Sequence, residues 1–132
     1  MKIDGEKLQD KVKAIVRYNT VRGWVQEPED LSKSIVLESA ELLEHFQWDA
    51  SAKKLKSKKK PKDMQEIEFE VADIFWYLII FCKVMKIDLV KALEKKMKHN
   101  EEKYPESMFK GEHNSKFYHA QKEKYRAAKK QK

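Results

Sequence analysis

Four carboxylates stand in two pairs with helical spacing, Glu38 with Glu41 and Glu70 with Asp73. Residues three apart lie on one face of a helix, so each pair presents two acids in the same direction. The chain between the pairs is long enough to turn back, and we expect the two helices to face each other. Carboxylate oxygens suit a hard divalent cation such as Mg²⁺. The spacing therefore predicts a metal site between these helices.

Each acidic face also carries an aromatic side chain near its C-terminal end. Trp48 follows the first pair and Tyr77 follows the second, both at helical spacing from the acids. These rings are expected to lie beside the acids, where they contact a bound ligand or simply pack. For Trp76, which is off the acidic face, packing is favoured. His45 lies on the acidic face, but Mg²⁺ prefers oxygen ligands, so a packing or hydrogen-bonding role is favoured for it.

The acids have a simpler interpretation, because Glu and Asp at this spacing are common on exposed helices. The stretch 66–81 argues against it, since its acids stand among Ile, Phe, Val, Trp and Tyr. A charge in so apolar a helix is costly unless it is paired or binds a metal. We therefore favour a metal site over a solvated surface.

Composition and periodicity predict an all-α chain. With 132 residues, 3 glycines and 3 prolines, the chain reads as one domain of helices. The expected helices cover Gly5 to Thr20, a second from an Asp30 or Ser32 cap to Gln47, a third from Asp63 to Met85, a fourth capped by Asp88 and ending before Pro105, and a short one from Ser115 to Ala128. A mean hydropathy of −0.83 leaves a small core, which suggests that subunits associate.

The cysteine content indicates the redox compartment of the protein, and the hydropathy indicates whether a segment could span a membrane. Cys82 is the only cysteine, so no internal disulfide forms, which fits a reducing compartment. It lies in an apolar run and is expected in the core. The first five residues do not resemble a secretion signal, and the run 74–82 is too short to span a bilayer. We expect a soluble, cytoplasmic protein that makes no membrane contact.

The net charge of +7 is concentrated in two segments. Residues 53–62 hold seven lysines and no acid, and residues 110–132 hold eight lysines or arginines against two acids. The expected organisation is a helical domain over 1–110 with a mobile connection at 49–62, followed by a basic tail at 111–132. A basic tail can bind nucleic acid, but no aromatic-interleaved module accompanies it. Nucleic acid is therefore the less favoured partner.

The fourth predicted helix supplies cations. Lys96, Asn100 and Lys103 share one face, just before a stop at Tyr104-Pro105. Two ammonium groups and an amide suit phosphate oxygens. This pattern is weak alone, because lysine is abundant in the chain, and gains weight beside four carboxylates.

Taken together, these motifs resemble those of the MazG-like all-α nucleoside triphosphate pyrophosphohydrolases, in particular the dCTP pyrophosphatase-like branch. Residues 38–48, 70–78 and 96–105 read ESAELLEHFQW, EVADIFWYL and KMKHNEEKYP, and Arg22-Gly23-Trp24 is also similar. The resemblance covers roughly residues 5–110. It implies a four-helix bundle-like subunit that dimerises, often into tetramers, and hydrolysis of a nucleoside triphosphate to the monophosphate and pyrophosphate.

The resemblance also implies roles for individual residues. Mg²⁺, or Mn²⁺ in its place, would be held by Glu38, Glu41, Glu70 and Asp73. The base would contact Trp48 and Tyr77, with Trp24 nearby, and phosphate or sugar would contact Lys96, Asn100 and Lys103. The turn from Trp24 to Pro28 is shorter than in similar enzymes and lacks their Phe and His, which leaves the preferred base open.

The general base is open as well. A carboxylate not saturated by metal can take a proton from the attacking water, and Glu41 is the first candidate, with Glu38 close behind. Two alternative functions remain at this point. One is a helical module that binds nucleotides or nucleic acid through its basic tail. The other is a phosphohydrolase acting on a different pyrophosphate-containing substrate, such as a phosphoribosyl nucleotide.

Overall fold

A computed structural model describes residues 3–47, 61–106 and 115–130. Every regular element in those ranges is a helix, so the all-α prediction is confirmed. The helices are α1 (Gly5–Val21), α2 (Pro28–Gln47), α3 (Pro61–Val84), α4 (Leu89–Lys103) and α5 (Ser115–Lys130). The predicted mobile connection lies almost entirely outside the described residues, and its mobility stays a prediction. Dimerisation, which was part of the predicted fold, also stays a prediction.

Helix α1 is closed at both ends by local hydrogen bonds. The Asp4 carboxylate accepts from the Lys7 backbone N–H at 3.1 Å and caps the N-terminus. At the other end, the Gly23 N–H donates to the Thr20 carbonyl and the Trp24 N–H donates to the Asn19 carbonyl, at 3.1 and 3.2 Å. This pair of bonds is the Schellman motif, which requires a left-handed residue, and Gly23 has φ +62°. The chain therefore leaves α1 in a defined direction.

Helices α2 and α3 both begin at a proline, earlier than the sequence predicted. Proline is favoured at the first helical position because its φ is already helical and it lacks an N–H that would go unpaired. The predicted caps at Asp30 and Ser32 are therefore wrong, because both residues lie inside α2. The Ser32 hydroxyl instead donates to the Glu29 carbonyl at 2.7 Å.

A second Schellman motif ends α3. The Lys86 N–H donates to the Lys83 carbonyl and the Ile87 N–H donates to the Cys82 carbonyl, at 3.2 and 2.8 Å. Lys86 occupies the left-handed position with φ 54°, where a side chain is disfavoured. Asp88 then caps α4 by accepting from the Lys91 N–H at 3.1 Å, as predicted.

The chain divides into two compact units, Met1–Ile87 with α1 to α3 and Asp88–Lys132 with α4 and α5. In the first unit α2 and α3 make the most extensive pairing, and α1 packs on α3. The core there is small, as expected from the hydropathy. Its buried apolar side chains are Ile15, Leu31, Ile79, Ile80 and Cys82. Leu8 of α1 is 41% exposed and does not belong to this core.

In the second unit, α4 and α5 meet through aromatic side chains. The His99 and Tyr125 rings pack edge to face with centroids 5.6 Å apart. The Lys103 ammonium lies 5.3 Å from the centre of the Tyr125 ring. Within the described residues, no helix has both the length and the continuous hydropathy that crossing a membrane would require.

Candidate functional site

The pairing of α2 with α3 brings three of the four predicted acids together. Oxygens of Glu38, Glu41 and Glu70 all lie within 4.8 Å of one another. Glu38 and Glu70 are half-buried and Glu41 is exposed, so the group opens to solvent on one side. Asp73, the fourth predicted acid, is not one of these three and is exposed. We refer to Glu38, Glu41 and Glu70 as the acid cluster.

The pKa of the Glu38 carboxyl reflects both its burial and the negative charges around it. Burial raises the pKa of the Glu38 carboxyl above its usual range, and the negative charges of Asp73, Glu41 and Glu70 raise it further. Both effects disfavour the charged form of a carboxylate. Asp73 is thus close enough to act electrostatically on Glu38, although it lies outside the acid cluster.

These properties fit a divalent cation. Three carboxylates supply hard oxygen ligands from two helices, and their like charges repel each other when nothing neutralises them. A cation at the point where the oxygens converge would remove that repulsion. The exposed side at Glu41 leaves room for further ligands such as water or phosphate oxygens. An isolated exposed acid would show neither the convergence nor the raised pKa of Glu38.

The structure places the remaining predicted residues as follows. Tyr77 is half-buried on α3, one turn beyond Asp73. Trp24 lies in the turn between α1 and α2 and is 54% exposed. Trp48 lies outside the described residues. Lys96, Asn100 and Lys103 lie on α4 in the second unit, and the role predicted for them stays a prediction.

A second polar group was not predicted. Asn19 of α1 is 3% exposed, and among the described residues it is the one buried polar side chain. Its Oδ1 accepts a hydrogen bond from Trp76 Nε1, and its Nδ2 donates to Gln26 Oε1, each at 3.0 Å. We refer to Trp76, Asn19 and Gln26 as the amide relay. The half-buried Trp76 does pack, as expected, but its N–H bond spans 57 positions in sequence and left no signal in local spacing.

Aromatic rings surround the amide relay. Tyr18 contacts Trp76 edge to face, with centroids 5.1 Å apart, and contacts Trp24 at 5.7 Å. The Arg22 guanidinium lies over the Tyr18 ring, 3.2 Å from its centre, and donates to the Tyr18 carbonyl. Through these side-chain contacts, α1 packs against both the turn that follows it and α3.

Comparison with known proteins agrees with the all-α fold. Residues 33–119 match the MazG-like family. A pyrophosphatase of known crystal structure from Archaeoglobus fulgidus superimposes with a TM-score of 0.65 at 32% identity, over 80% of this chain and 98% of that one. The chain belongs to the MazG-like family, and the resemblance inferred from its motifs is confirmed.

Curated relatives carry a more specific name. The dCTP pyrophosphatase 1 of Rattus norvegicus is 29% identical over 106 residues, which are 79% of this chain and 62% of the relative. The Homo sapiens protein of the same name is 28% identical over 100 residues, 74% of this chain and 59% of the relative. This chain thus spans about three-fifths of the length of these relatives.

Proposed function

We propose that the protein is a nucleoside triphosphate pyrophosphohydrolase, which cleaves a (deoxy)nucleoside triphosphate into the monophosphate and pyrophosphate. The observation that carries the proposal is the convergence of Glu38, Glu41 and Glu70 from two facing helices. The names of the relatives support the same reaction class. The expected purpose is removal of surplus or non-standard nucleotides from the pool.

The cation is proposed to be Mg²⁺, with Mn²⁺ as a substitute. Glu38, Glu41 and Glu70 would hold it, and Asp73 would join them as a fourth carboxylate. When bound, such a cation withdraws charge from the polyphosphate and makes coordinated water more acidic.

A carboxylate is proposed to accept the proton of that water. Glu41 is the first candidate because its exposed side chain can turn toward the substrate, and Glu38 is the second. The base is proposed to stack on Trp48 and Tyr77, with Trp24 contributing, while Lys96, Asn100 and Lys103 neutralise phosphate or contact the sugar.

The first test is release of pyrophosphate from a panel of canonical and modified dNTPs and NTPs, with Mg²⁺ and with EDTA. Release of pyrophosphate and monophosphate that requires the metal is expected for at least one nucleotide, which also identifies the base. Silence across the panel from a folded protein contradicts the proposal. In that event, salt-dependent binding of nucleic acid to α5 would be measured next.

The metal site is tested separately by calorimetric titration with Mg²⁺. Glu70→Gln is expected to abolish specific Mg²⁺ binding, because it removes one charged ligand from the acid cluster. Glu68→Gln is the matched control, since Glu68 is exposed on α3 and points roughly 160° away from Glu70 around the helix. Equal loss of binding in both variants would show that general surface charge, and not this cluster, binds the ion.

We also propose that the protein is a homo-oligomer, a dimer or a tetramer. Large apolar side chains on α2 and α3 are strongly exposed, namely Val36, Leu37, Leu43, Phe69 and Val71. Two of them, Val36 and Leu37, line an open depression of about 490 Å³ together with Ser32 and Lys33. Exposed apolar side chains that stand together, as Val36 and Leu37 do here, are typical of protein–protein interfaces.

Sedimentation equilibrium tests the association. The wild-type protein is expected to sediment as a multiple of the subunit mass of 15.8 kDa, and Val36→Glu is expected to shift it toward the monomer. Val90→Glu on α4 is the control for adding a charge at an equally exposed apolar position. A monomeric wild type at micromolar concentration would contradict the proposal.

A cytoplasmic location is proposed on the evidence of one free, buried cysteine.

A further inference from the structure

Lys103, at the end of α4, has aromatic neighbours in place of an acidic one. It is half-buried, whereas Lys96 and Asn100 of the same helix are exposed. Its ammonium lies 4.9 Å from the centre of the Tyr104 ring and 5.3 Å from the centre of the Tyr125 ring. Both distances lie in the range over which an aromatic ring attracts a cation. One of these rings follows α4 directly in sequence, and the other belongs to α5.

The charge of Lys103 is not neutralised by a carboxylate. The described residues include no ion pair to Lys103, and two acids of the same unit are engaged elsewhere. The Glu101 carboxylate accepts from the Glu106 backbone N–H at 3.1 Å, and Glu123 pairs with Arg126 at 3.2 Å. Four other lysines each pair with an acid one helical turn away, namely Lys7, Lys13, Lys33 and Lys91. Rings attract an ammonium without accepting its three N–H bonds as an anion does, so Lys103 keeps donors for an anion.

The Tyr125 ring is itself held in place by α4. It packs edge to face on His99 with centroids 5.6 Å apart, and its hydroxyl lies 3.4 Å from His99 Nδ1. His99 and Lys103 are four residues apart and therefore lie on one face of α4. The face that anchors the ring at His99 thus also receives it beside Lys103. A free lysine side chain samples many rotamers, and restricting it beforehand lowers the cost of ordering it when a ligand binds.

The neighbouring side chains indicate what kind of anion would bind. Lys96 precedes Lys103 by seven residues, which separates them by about 10.5 Å along the helix axis, with Asn100 between them. Ammonium and amide donors spread along two turns suit a chain of phosphates better than one phosphate or one carboxylate.

We infer that Tyr125 of α5 is a positioning residue, whose ring holds the Lys103 ammonium so that its N–H donors meet phosphate oxygens of the substrate. This inference rests on the proposed function, which includes the contact between Lys103 and phosphate. It assigns a role to a residue beyond positions 33–119, which are those that match the family.

The test is calorimetric titration of the full chain with inorganic triphosphate in EDTA, where no metal ion can join the acid cluster to the ligand. Tyr125→Leu removes the ring and is expected to raise Kd about three- to tenfold. Tyr125→Phe keeps the ring and is expected to restore Kd to within about twofold of the wild type. Lys103→Met is expected to weaken binding at least as much as Tyr125→Leu. Adding Tyr125→Leu to Lys103→Met should cause no further loss, because the ring then has no ammonium to hold.

A charge control and a kinetic measurement separate positioning from general effects. Lys116→Met removes one positive charge from α5 at an exposed site about 180° around the helix from Tyr125, and is expected to change Kd less than about twofold. On the nucleotide that the wild type cleaves fastest, Tyr125→Leu is expected to raise KM with kcat within about twofold, and Tyr125→Phe is expected to restore KM.

The failures of the two proposals are distinguishable. The inference is overturned if the wild type does not bind triphosphate in EDTA, if Tyr125→Leu binds it as the wild type does, or if Lys116→Met loses as much affinity. It is also overturned if Tyr125→Leu weakens binding equally in the presence and absence of the Lys103 ammonium. Release of pyrophosphate from nucleotides decides the proposed function separately. If triphosphate binding follows Tyr125 and Lys103 but no nucleotide is cleaved, the proposed function fails and the positioning of Lys103 for polyphosphate stands.

Discussion

Helix α3 carries polar groups toward both of its neighbours, and the two sides differ in how well their charges and dipoles are satisfied. Toward α2, Glu70 meets the carboxylates of Glu38 and Glu41, which repel it. Toward α1, Trp76 meets the amide of Asn19, which accepts its N–H. One side gathers groups that need a ligand, whereas the other gathers groups that satisfy one another.

The difference separates a binding site from a structural contact by physical criteria. Burial raises the pKa of the Glu38 carboxyl, and the negative charges of Asp73, Glu41 and Glu70 raise it further. Like charges held within 4.8 Å of one another are tolerated only at a cost in stability. The buried Asn19 amide has a partner for its oxygen and for its nitrogen, which is the usual condition for a buried polar group. Substitution should therefore affect the acid cluster mainly in activity and the amide relay mainly in stability.

The largest expected effect is on turnover in the acid cluster. Glu41→Gln is expected to lower kcat at least about 100-fold, because it removes either a metal ligand or the proton acceptor. Its free energy of unfolding should remain close to that of the wild type, since Glu41 is exposed and one repulsive charge is lost. Pyrophosphate release and urea denaturation measure the two quantities. Activity near the wild-type level would remove Glu41 from the site.

The second effect is on stability, on the other side of α3. Asn19→Leu has a similar volume but leaves the Trp76 N–H without an acceptor and the Gln26 carbonyl without a donor. We expect a loss of about 2 kcal/mol in the free energy of unfolding. Lys83→Met, which breaks an exposed bond between the same helices, should cost less than about 0.5 kcal/mol. Equal losses in urea denaturation would contradict the special position of Asn19.

Smaller effects are expected at the turns that end α1 and α3. A Cβ on Gly23 meets no atom within 4 Å, so Gly23→Ala should cost only the left-handed backbone penalty, about 1 kcal/mol. Lys86→Gly removes that penalty, but the added freedom of the unfolded chain offsets part of the gain, leaving about 0.5 kcal/mol of stabilisation. Thermal denaturation should show shifts of opposite sign. Shifts of the same sign would be inconsistent with the two turns sharing one geometry.

The smallest expected effect is a pH dependence of folding stability, which the acid cluster should show when no cation is bound. The pKa of Glu38 is higher in the folded state than its usual value of 4.5, so the folded protein binds this proton more tightly than the unfolded chain. In EDTA, the Glu38 contribution to stability should therefore fall as pH rises from about 4.5 through the raised pKa.

Glu38→Gln should remove that contribution, and Mg²⁺ should oppose the trend, because metal binding requires the deprotonated carboxylates. Denaturant midpoints measured across pH with EDTA and with Mg²⁺ give both comparisons. A Glu38→Gln protein with the same pH profile as the wild type in EDTA would assign the titration to another group.

The acid cluster could be anticipated because its information is local. Glu38 and Glu41 share a helix face by spacing alone, as do Glu70 and Asp73, and the apolar neighbours of the second pair show which helix is partly buried. The spacing did not reveal that Asp73 stays outside the closest group of oxygens. That outcome depends on the register between α2 and α3, which side-chain packing sets.

The helix starts show a similar division. Asp88 was identified as a cap because a capping carboxylate acts on a backbone N–H three residues away. Asp30 and Ser32 are also residue types that can cap a helix, but they lie inside α2, since Pro28 starts the helix earlier. Two competing local signals were present, and the sequence did not indicate which would prevail.

By itself, the sequence determined that the chain is helical, that two acidic faces exist and that the chain belongs to the MazG-like family, since helical period, residue type and motif spacing are properties of neighbours along the chain. Only the tertiary structure decided which acids converge and that Asn19 joins Trp76 to Gln26. Those contacts join residues from different helices and turns, and packing alone brings them within hydrogen-bonding distance.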